Sequence, residues 1–555
     1  GYISQSGALL SSILDMANTN EIGFSKLVSF GNKCDLDELD FMQNMGEDNE
    51  TKVIAGYLES IGNGKSFVEK ASAISRKKPI ILMKSGVSQA GAKAASSHTG
   101  SLAGSDTAYQ CAFEKTGVIR CDSIKTQFDY AQAFASQSLP NGNRVAVVTN
   151  AGGAGIMATD AVEKAGLEFA TLTDETMKKL SDVLPPAANI KNPIDVLGDA
   201  LADRYEHAME IVLDDPGVDI VLILLTPQVM TQSKKTAEAM AKVHKEKSEK
   251  PMLGCFVGAE KVAEGLKVMQ ENGIPQYDSP ESAVATIKAM VDYATWVNKP
   301  EEKMWGFDVE KAKVEQIIND HLYKNKREVG ELDAKKILKT YGFATPEGDI
   351  AESENEAVNL AADLGFPVVM KIWSPDISHK SDVGGVKIDL KDEQEVKYAF
   401  NEMMTEIPKK EPEANLIGVY IQEMAPAGRE IILGVKSDPQ FGPMIMFGLG
   451  GIFVEVLKDV SFALAPLTKE QALELMQKTK SYKLLQGVRG QEGVDIDLLA
   501  ENLMRLAQLV TDFPQIVELD INPMFAGPKG SKPISVDARM SVEEVEEKSR
   551  RVDFE

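Results

Sequence analysis

The chain is poor in several residue types. Its 555 residues include four cysteines, three tryptophans and five histidines. Cys34, Cys111, Cys121 and Cys255 show no CxxC spacing, so neither a cysteine-built zinc site nor a disulfide framework is indicated. No apolar run approaches the ~18 residues of a spanning helix, and no charged-then-apolar leader opens the chain. A cytoplasmic protein with no membrane partner is therefore expected. Positive charge is also short: 60 Lys and Arg against 84 Asp and Glu leave a net charge of −24. That balance argues against a nucleic-acid partner and leaves anionic ligands to local devices, such as helix N-termini and metal ions. An initiator Met is missing too. The chain opens Gly1-Tyr2-Ile3-Ser4-Gln5-Ser6-Gly7, already inside a strand-to-loop transition, and reads as a fragment or a late start.

What is present is enough for several domains. The first two thirds alternate short apolar runs with amphipathic stretches, as a parallel α/β sheet does. Buried strands are predicted at 52–58, 79–84, 145–149, 219–225 and 252–257. A strand, then Ser-Gln-Ser-Gly, then a helix make up residues 1–17. Residues 144–165 repeat that plan around Asn150-Ala151-Gly152-Gly153-Ala154-Gly155. Two similar α/β domains are expected, over 1–138 and 143–297, divided at the turn cluster Leu139-Pro140-Asn141-Gly142-Asn143. Residues 298–326 are charged and read as a linker. Over 327–555 strands follow one another closely (366–372, 416–422, 430–437, 443–447, 452–457, 515–521, 534–537), which predicts an α+β domain rich in antiparallel pairing.

Two histidines stand out. His207, His244 and His321 lie in charged, helix-like runs and read as ordinary surface residues. His98 instead sits in Ser96-Ser97-His98-Thr99-Gly100, an exposed loop opening into a helix, where a neutral imidazole is a competent nucleophile near neutral pH. The helix N-termini at Ser4–Gly7 and Asn150–Gly155 could supply dipoles for a phosphate, and Glu59, at the end of a buried strand, a carboxylate to fix the tautomer. A loop histidine bonded to a neighbouring hydroxyl accounts for the same residues equally well. His379 lies in a second polar loop, with Lys371 ending the strand before it and Lys380 and Gly384-Gly385 beside it. Near the C-terminus, a period of two puts Glu518, Asp520 and Asn522 on one strand face, with Asp537 on a neighbouring strand; such oxygen ligands suit Mg²⁺.

Taken together, these segments resemble the NDP-forming acyl-CoA synthetases, the acetate–CoA ligase (ADP-forming) branch of the succinyl-CoA synthetase superfamily. The motifs include Ser4-Gln5-Ser6-Gly7, Tyr57-Leu58-Glu59, Ser97-His98-Thr99-Gly100, Asn192-Pro193-Ile194-Asp195, Thr226-Pro227-Gln228, His379-Lys380-Ser381-Asp382, Gly448–Gly451 and Asp520–Pro523. The resemblance implies two flavodoxin-like succinyl-CoA-synthetase-type domains followed by an α+β ATP-grasp module, with the family's N-terminal CoA-binding domain absent from this chain. It implies reversible conversion of acyl-CoA, phosphate and ADP to carboxylate, CoA and ATP, through an acyl phosphate and a phosphohistidine. His98 matches the phosphorylated histidine, Glu59 its partner acid, and His379 a second carrier. Gln5, Ser6 and Gly7, with Asn150, Gly152 and Gly153, match the phosphate-binding loops. Lys371 matches the lysine on the nucleotide phosphates, Gln422, Glu423 and Met424 the adenine hinge, and Asn522 and Asp537 the Mg²⁺ ligands. Small-molecule substrates and a homodimer are implied as partners. Succinate–CoA ligation and a non-catalytic regulatory scaffold stand as alternatives. One departure is visible: Ala463 and Leu464 stand where the family leads us to expect an arginine, although Arg489 is present.

Overall fold

The computed structural model describes all residues except 20–21, 34, 88–104, 301–303, 305, 378–379, 451–457, 489, 491 and 545–555. His98, His379, Arg489 and the predicted strand 452–457 thus lie outside the described residues. The chain divides into two compact units, Gly1–Glu301 and Glu302–Glu555.

The first unit contains two parallel sheets. One is built from β1 (Tyr2–Ser4), β2 (Leu27–Ser29), β3 (Ile54–Leu58), β4 (Ile80–Lys84) and β5 (Ile119–Cys121), in the order β2-β1-β3-β4-β5. The other is built from β6 (Arg144–Thr149), β7 (Glu168–Phe169), β8 (Ile194–Asp195), β9 (Ile220–Leu225), β10 (Met252–Phe256) and β11 (Gln276–Tyr277). Its order is β11-β10-β9-β6-β7, with β8 also on β6. In the first sheet β1 lies between β2 and β3; in the second β6 lies between β9 on one side and β7 with the short β8 on the other, so that, β8 apart, both follow the doubly wound order 2-1-3-4-5. That order puts a ligand crevice at the carboxyl end of the first strand, where the chain's winding reverses. The central strands are covered by helices on both faces, so they are apolar throughout: all six residues of β9 and all five of β10 are buried. The helix Pro280–Asn298 joins the halves. Val284 and Ile287 pack in the second half's core, and Met290 and Tyr293 pack with Ile81 and Phe134 of the first.

The second unit has two sheets. β12 (Glu328–Val329), β17 (Arg429–Asp438), β18 (Gly442–Leu449), β19 (Val460–Leu464), β20 (Ile516–Ala526), β21 (Ile534–Ser535) and β22 (Ala538–Val542) form an antiparallel sheet, ordered β12-β22-β20-β17-β18-β19 with β21 on β20. Its core includes the helix Ile496–Asp512, which buries Leu499, Leu503, Leu506 and Val510 along one stripe. The smaller sheet, ordered β13-β16-β14-β15, comprises β13 (Gly348–Ala351), β14 (Val368–Trp373), β15 (Val386–Leu390) and β16 (Gly418–Glu423). Its one face is apolar: Val368, Met370, Ile372, Val419 and Ile421 pack in a core with helices Glu354–Leu364 and Glu393–Lys410.

Two readings are corrected. The charged stretch expected to be linker holds the helix Lys311–Tyr323, whose Val314 and Ile318, one turn apart, are fully buried in the second unit's core. Lysines and acids on its other faces hide that narrow stripe from a composition count. His244 and His321 are half-buried rather than ordinary surface groups: the Nε2 atoms lie 3.3 Å from Gln137 Nε2 and 3.1 Å from Asp333 Oδ2. Among the described residues, no helix is long and apolar enough to cross a membrane.

Candidate active site

The two strand-to-helix loops of the first unit share a design. The hydroxyl of the last strand residue accepts from the amide N–H two residues on and donates to that residue's carbonyl. Ser4 does so with Ser6 at 3.1 and 2.8 Å, and Thr149 with Ala151 at 3.1 Å for both bonds. The residue between contributes an amide that ties the loop to a neighbouring strand. Gln5 Oε1 accepts from the N–H groups of Glu59 and Ser60, just past β3. Asn150, 2% exposed, accepts from Thr226 N–H and donates to Thr226 C=O, both at 2.9 Å, just past β9. A helix then starts three residues after the hydroxyl, at Gly7 or Gly152.

The second helix N-terminus is left without a side-chain cap, and the first has a single hydroxyl cap, Ser6 Oγ accepting from Leu9 N–H at 3.3 Å. Neither carries an acidic residue in its first turn, Ala151 gives no side-chain cap, and Gly7, Gly152 and Gly153 are exposed. The remaining N–H groups and the positive helix pole favour an anion there. At the second loop such an anion would meet backbone, because Asn150 Nδ2 is already donated to Thr226; at the first, Glu59 and Ser60 engage Gln5 Oε1 and not its donor Nε2. Glu59 is half-buried, with Tyr57 Oη 3.4 Å from its Oε1 and donating to Ser85 Oγ at 3.0 Å. At the adjacent end of β4, Lys84 is 7% exposed and pairs with no described carboxylate. It donates to the Ser85 carbonyl and lies 4.5 Å from the Tyr109 ring centroid. Burial, assisted by Arg120 and Lys33, lowers its ammonium to about 8 against the pull of Asp106 and Glu59.

The second unit gathers charge on the polar face of its smaller sheet. Lys371 on β14 and Tyr420 on β16 are register partners, and Gln422 follows Tyr420 by two residues, so all three share that face. Glu331 and Lys335, one turn apart on the helix Glu331–Thr340, meet it. Glu331 Oε1 accepts from Lys335 at 2.9 Å and Lys371 at 2.7 Å, and Oε2 accepts from Lys380 at 2.5 Å. Lys335 also donates to Gln422 Oε1 at 2.8 Å and lies over the Tyr420 ring. Burial alone would push the Glu331 carboxyl up; Lys371, Lys335 and Lys380 outweigh it and hold the group well below the carboxylate range. Burial and the neighbouring Lys371 bring Lys335 down to about 8.

Asp537 lies at the edge of this cluster, its Oδ2 3.7 Å from Lys371 Nζ, and its carbonyl accepts from Asn522 N–H at 3.2 Å. Glu518, Asp520 and Asn522 alternate with buried Leu519 and Ile521, as a period of two requires. Burial raises the Asp520 carboxyl, with Asp537 and Glu518 adding and Arg539 opposing. Among the described residues, no three His, Cys, Asp or Glu side chains group into a metal cage. The oxygen donors Asn522 and Asp537 fit instead a Mg²⁺ that takes few protein ligands and completes its shell with phosphates and water. In the segment expected to form the adenine hinge, Gln422 is fully buried, the Glu423 carboxylate accepts from Glu347 N–H at 3.1 Å, and Met424 is 39% exposed. The residues missed in the sequence are Glu331 and Lys335. The available signal was their position in the buried stripe 331, 334, 335, 338 of an amphipathic helix, where a charge needs a partner.

Family comparison covers nearly the whole chain. A succinyl-CoA ligase-like flavodoxin domain matches residues 1–134, a Ligase-CoA domain residues 145–299, and an ATP-grasp domain residues 320–542. The chain is 42% identical over 524 residues to acetate–CoA ligase (ADP-forming) I of Archaeoglobus fulgidus, spanning 94% of this chain and 75% of that one. It is 41% identical over 543 residues to 4-hydroxybutyrate–CoA ligase (ADP-forming) of Nitrosopumilus maritimus, spanning 97% and 77%. A solved dinucleotide-forming acetyl-coenzyme A synthetase 1 from Ca. Korarchaeum cryptofilum, in complex with phosphate and ADP, superposes with a TM-score of 0.51. That match has 35% identity over 53% of this chain and 64% of that one. Through all three domain matches and at these identities, the chain belongs to the ADP-forming acyl-CoA ligase family.

Proposed function

We propose that the protein interconverts acyl-CoA, phosphate and ADP with carboxylate, CoA and ATP by relaying one phosphoryl group. Phosphate oxygen attacks the thioester carbonyl and the CoA thiolate leaves, giving an acyl phosphate. A nitrogen of His98 then takes the phosphoryl group and the carboxylate departs. The phosphoryl group passes through His379 to the β-phosphate of ADP. These intermediates have similar transfer potentials, so catalysis reduces to positioning and charge stabilisation. Glu59 orients His98, and the N-termini at Gln5-Ser6-Gly7 and Asn150–Gly153 receive the phosphoryl oxygens through backbone N–H groups. Lys371 holds nucleotide phosphates, and Gln422, Glu423 and Met424 line the adenine. Mg²⁺, when held by Asn522 and Asp537, would neutralise phosphate charge. This assignment uses the division into domains 1–138, 143–297 and 327–555. The observation carrying it is the pair of helix N-termini free of acidic residues, each at the winding reversal of its own sheet. Relatives naming acetate and 4-hydroxybutyrate match this chain almost equally, so the acyl group is proposed only as short or medium. The assembly is proposed as a homodimer, from the family resemblance.

The test is peptide mapping by mass spectrometry after incubation with Mg·ATP. An acid-labile phosphoryl group on His98, absent from His98→Asn, is the expected result. No histidine labelling in a protein that still binds ATP overturns the relay and favours a regulatory scaffold.

A further inference from the structure

One carboxylate in the second unit serves three ammonium groups. The side chains of Glu331, Lys335 and Lys371 are 5–6% exposed and that of Lys380 13%. Three cations against Glu331 and the nearby Asp537 leave an excess of positive charge in a low-dielectric place, which an anionic ligand would neutralise. The donors point the same way. Lys335 is committed to Glu331 and Gln422, and Lys371 to Glu331 and the Val536 carbonyl. Among the described residues Lys380 has Glu331 as its only hydrogen-bond acceptor and lies 5.4 Å from the Trp373 ring centroid, so it is the least committed of the three ammonium groups. Gln422, fully buried, has no partner for its Nε2 among the described residues. Surplus donors beside shared cations call for an acceptor-rich anion.

We propose that Glu331 is a positioning residue that competes with nucleotide phosphate for Lys371 and Lys380. Its carboxylate sets where both ammonium groups stand, through contacts that fix the helix Glu331–Thr340, β14 and the turn at Lys380 to one point. A di- or triphosphate entering the cleft takes Lys380, which has the fewest partners, and shares Lys371. Lys335 stays on Glu331 and Gln422 and keeps the carboxylate charged. The inference rests on the proposed nucleotide site and adds that its lysines are held by competition rather than left to find the phosphates themselves.

The test uses the 555-residue chain, with ADP and AMP binding measured by calorimetry and phosphoryl transfer from labelled ATP to the protein measured by quench. In Glu331→Gln the competitor is lost but the lysines are no longer placed. ADP should bind no more than about threefold more weakly, or more tightly, while transfer slows at least about thirtyfold. Glu331→Asp should recover most of the transfer. Wild-type transfer in Glu331→Gln, or equal loss of ADP and AMP affinity, overturns the proposal. Should Glu331→Gln fail to fold, Lys380→Met, at the most exposed end of the cluster, carries the test. It should weaken ADP about tenfold and leave AMP unchanged, and unchanged ADP affinity refutes the competition. A wild-type chain that neither binds ADP nor takes label defeats the nucleotide-site reading itself, a separate outcome.

Discussion

Lys84 illustrates how a single residue can set stability against function. A buried ammonium with no described carboxylate beside it is held by one carbonyl and one ring face, which compensate its lost hydration only partly. Its folded-state value of about 8 lies below the ordinary 10.5, so the folded chain binds this proton less tightly than the unfolded chain. The resulting penalty is present in full below pH 8 and fades as pH rises from 8 towards 10.5, where the unfolded chain loses the proton as well. Lys84→Met should therefore stabilise the protein by about 1 kcal/mol at pH 7, and the gain should shrink at pH 10. Denaturation of both proteins at the two pH values checks this; a destabilised Lys84→Met at pH 7 refutes it. Retaining such a cation at the carboxyl edge of the sheet, near Glu59, is the kind of cost that sites tolerate for function.

At the scale of elements, the helix Pro280–Asn298 joins the two parallel sheets, and its end is a tight contact. Tyr293 Oη donates to the Ser75 carbonyl at 2.6 Å, Arg76 donates to the carbonyls of Val297 and Lys299, and the Arg76 guanidinium lies over the Trp296 ring. That indole lies against Gly117, which ends the helix Asp106–Thr116 at φ +68°. A Cβ there would come within 2.3 Å of the ring, and an L residue would also be strained at that φ. Gly117→Ala should cost about 2–4 kcal/mol by these two effects and shift the Trp296 fluorescence, whereas Gly166→Ala, at φ +70° with nothing nearby, should cost only the backbone strain. Equal losses in the two variants, read from urea midpoints, would show that the indole contact contributes nothing. Elements like these were unevenly legible in the chain. The buried parallel strands, such as Ile80–Lys84, announce themselves as nearly unbroken apolar runs, and the duplicated loops by Ser6-Gly7 and Gly152-Gly153 punctuation. The helix Lys311–Tyr323 and strand β15 did not, because a two-residue stripe and a one-faced edge strand with exposed Ile388 leave too little period to read. Glu331 and Lys335 escaped for a different reason: charges on a helix read as solvent-facing until the structure supplies Lys371 and Gln422 from strands distant in sequence.

For the whole molecule, the division into Gly1–Glu301 and Glu302–Glu555 has a chemical counterpart. The two loop-borne helix N-termini and Glu59 lie wholly in the first unit. The lysine cluster, residues Gln422, Glu423 and Met424, and the Asn522–Asp537 pair lie wholly in the second. Each unit has its own buried cores: Val145, Leu222 and Ile287 belong to one, and Val314, Leu503 and Ile521 to the other. Independent cores of this size predict independent folding. Residues 302–555 expressed alone should unfold cooperatively and bind Mg·ADP within about threefold of the full chain's Kd, because every residue proposed to contact nucleotide lies within them. Residues 1–301 alone should fold but bind no nucleotide. Mixed in solution, the two pieces should transfer phosphoryl from ATP to His98 with a rate that rises with the concentration of either piece, whereas the joined chain transfers at a rate independent of concentration, since covalent linkage replaces encounter with an effective concentration. Loss of ADP binding by a well-folded 302–555 piece would mean that the first unit completes the nucleotide site, and the separation of chemistry between the units would be wrong.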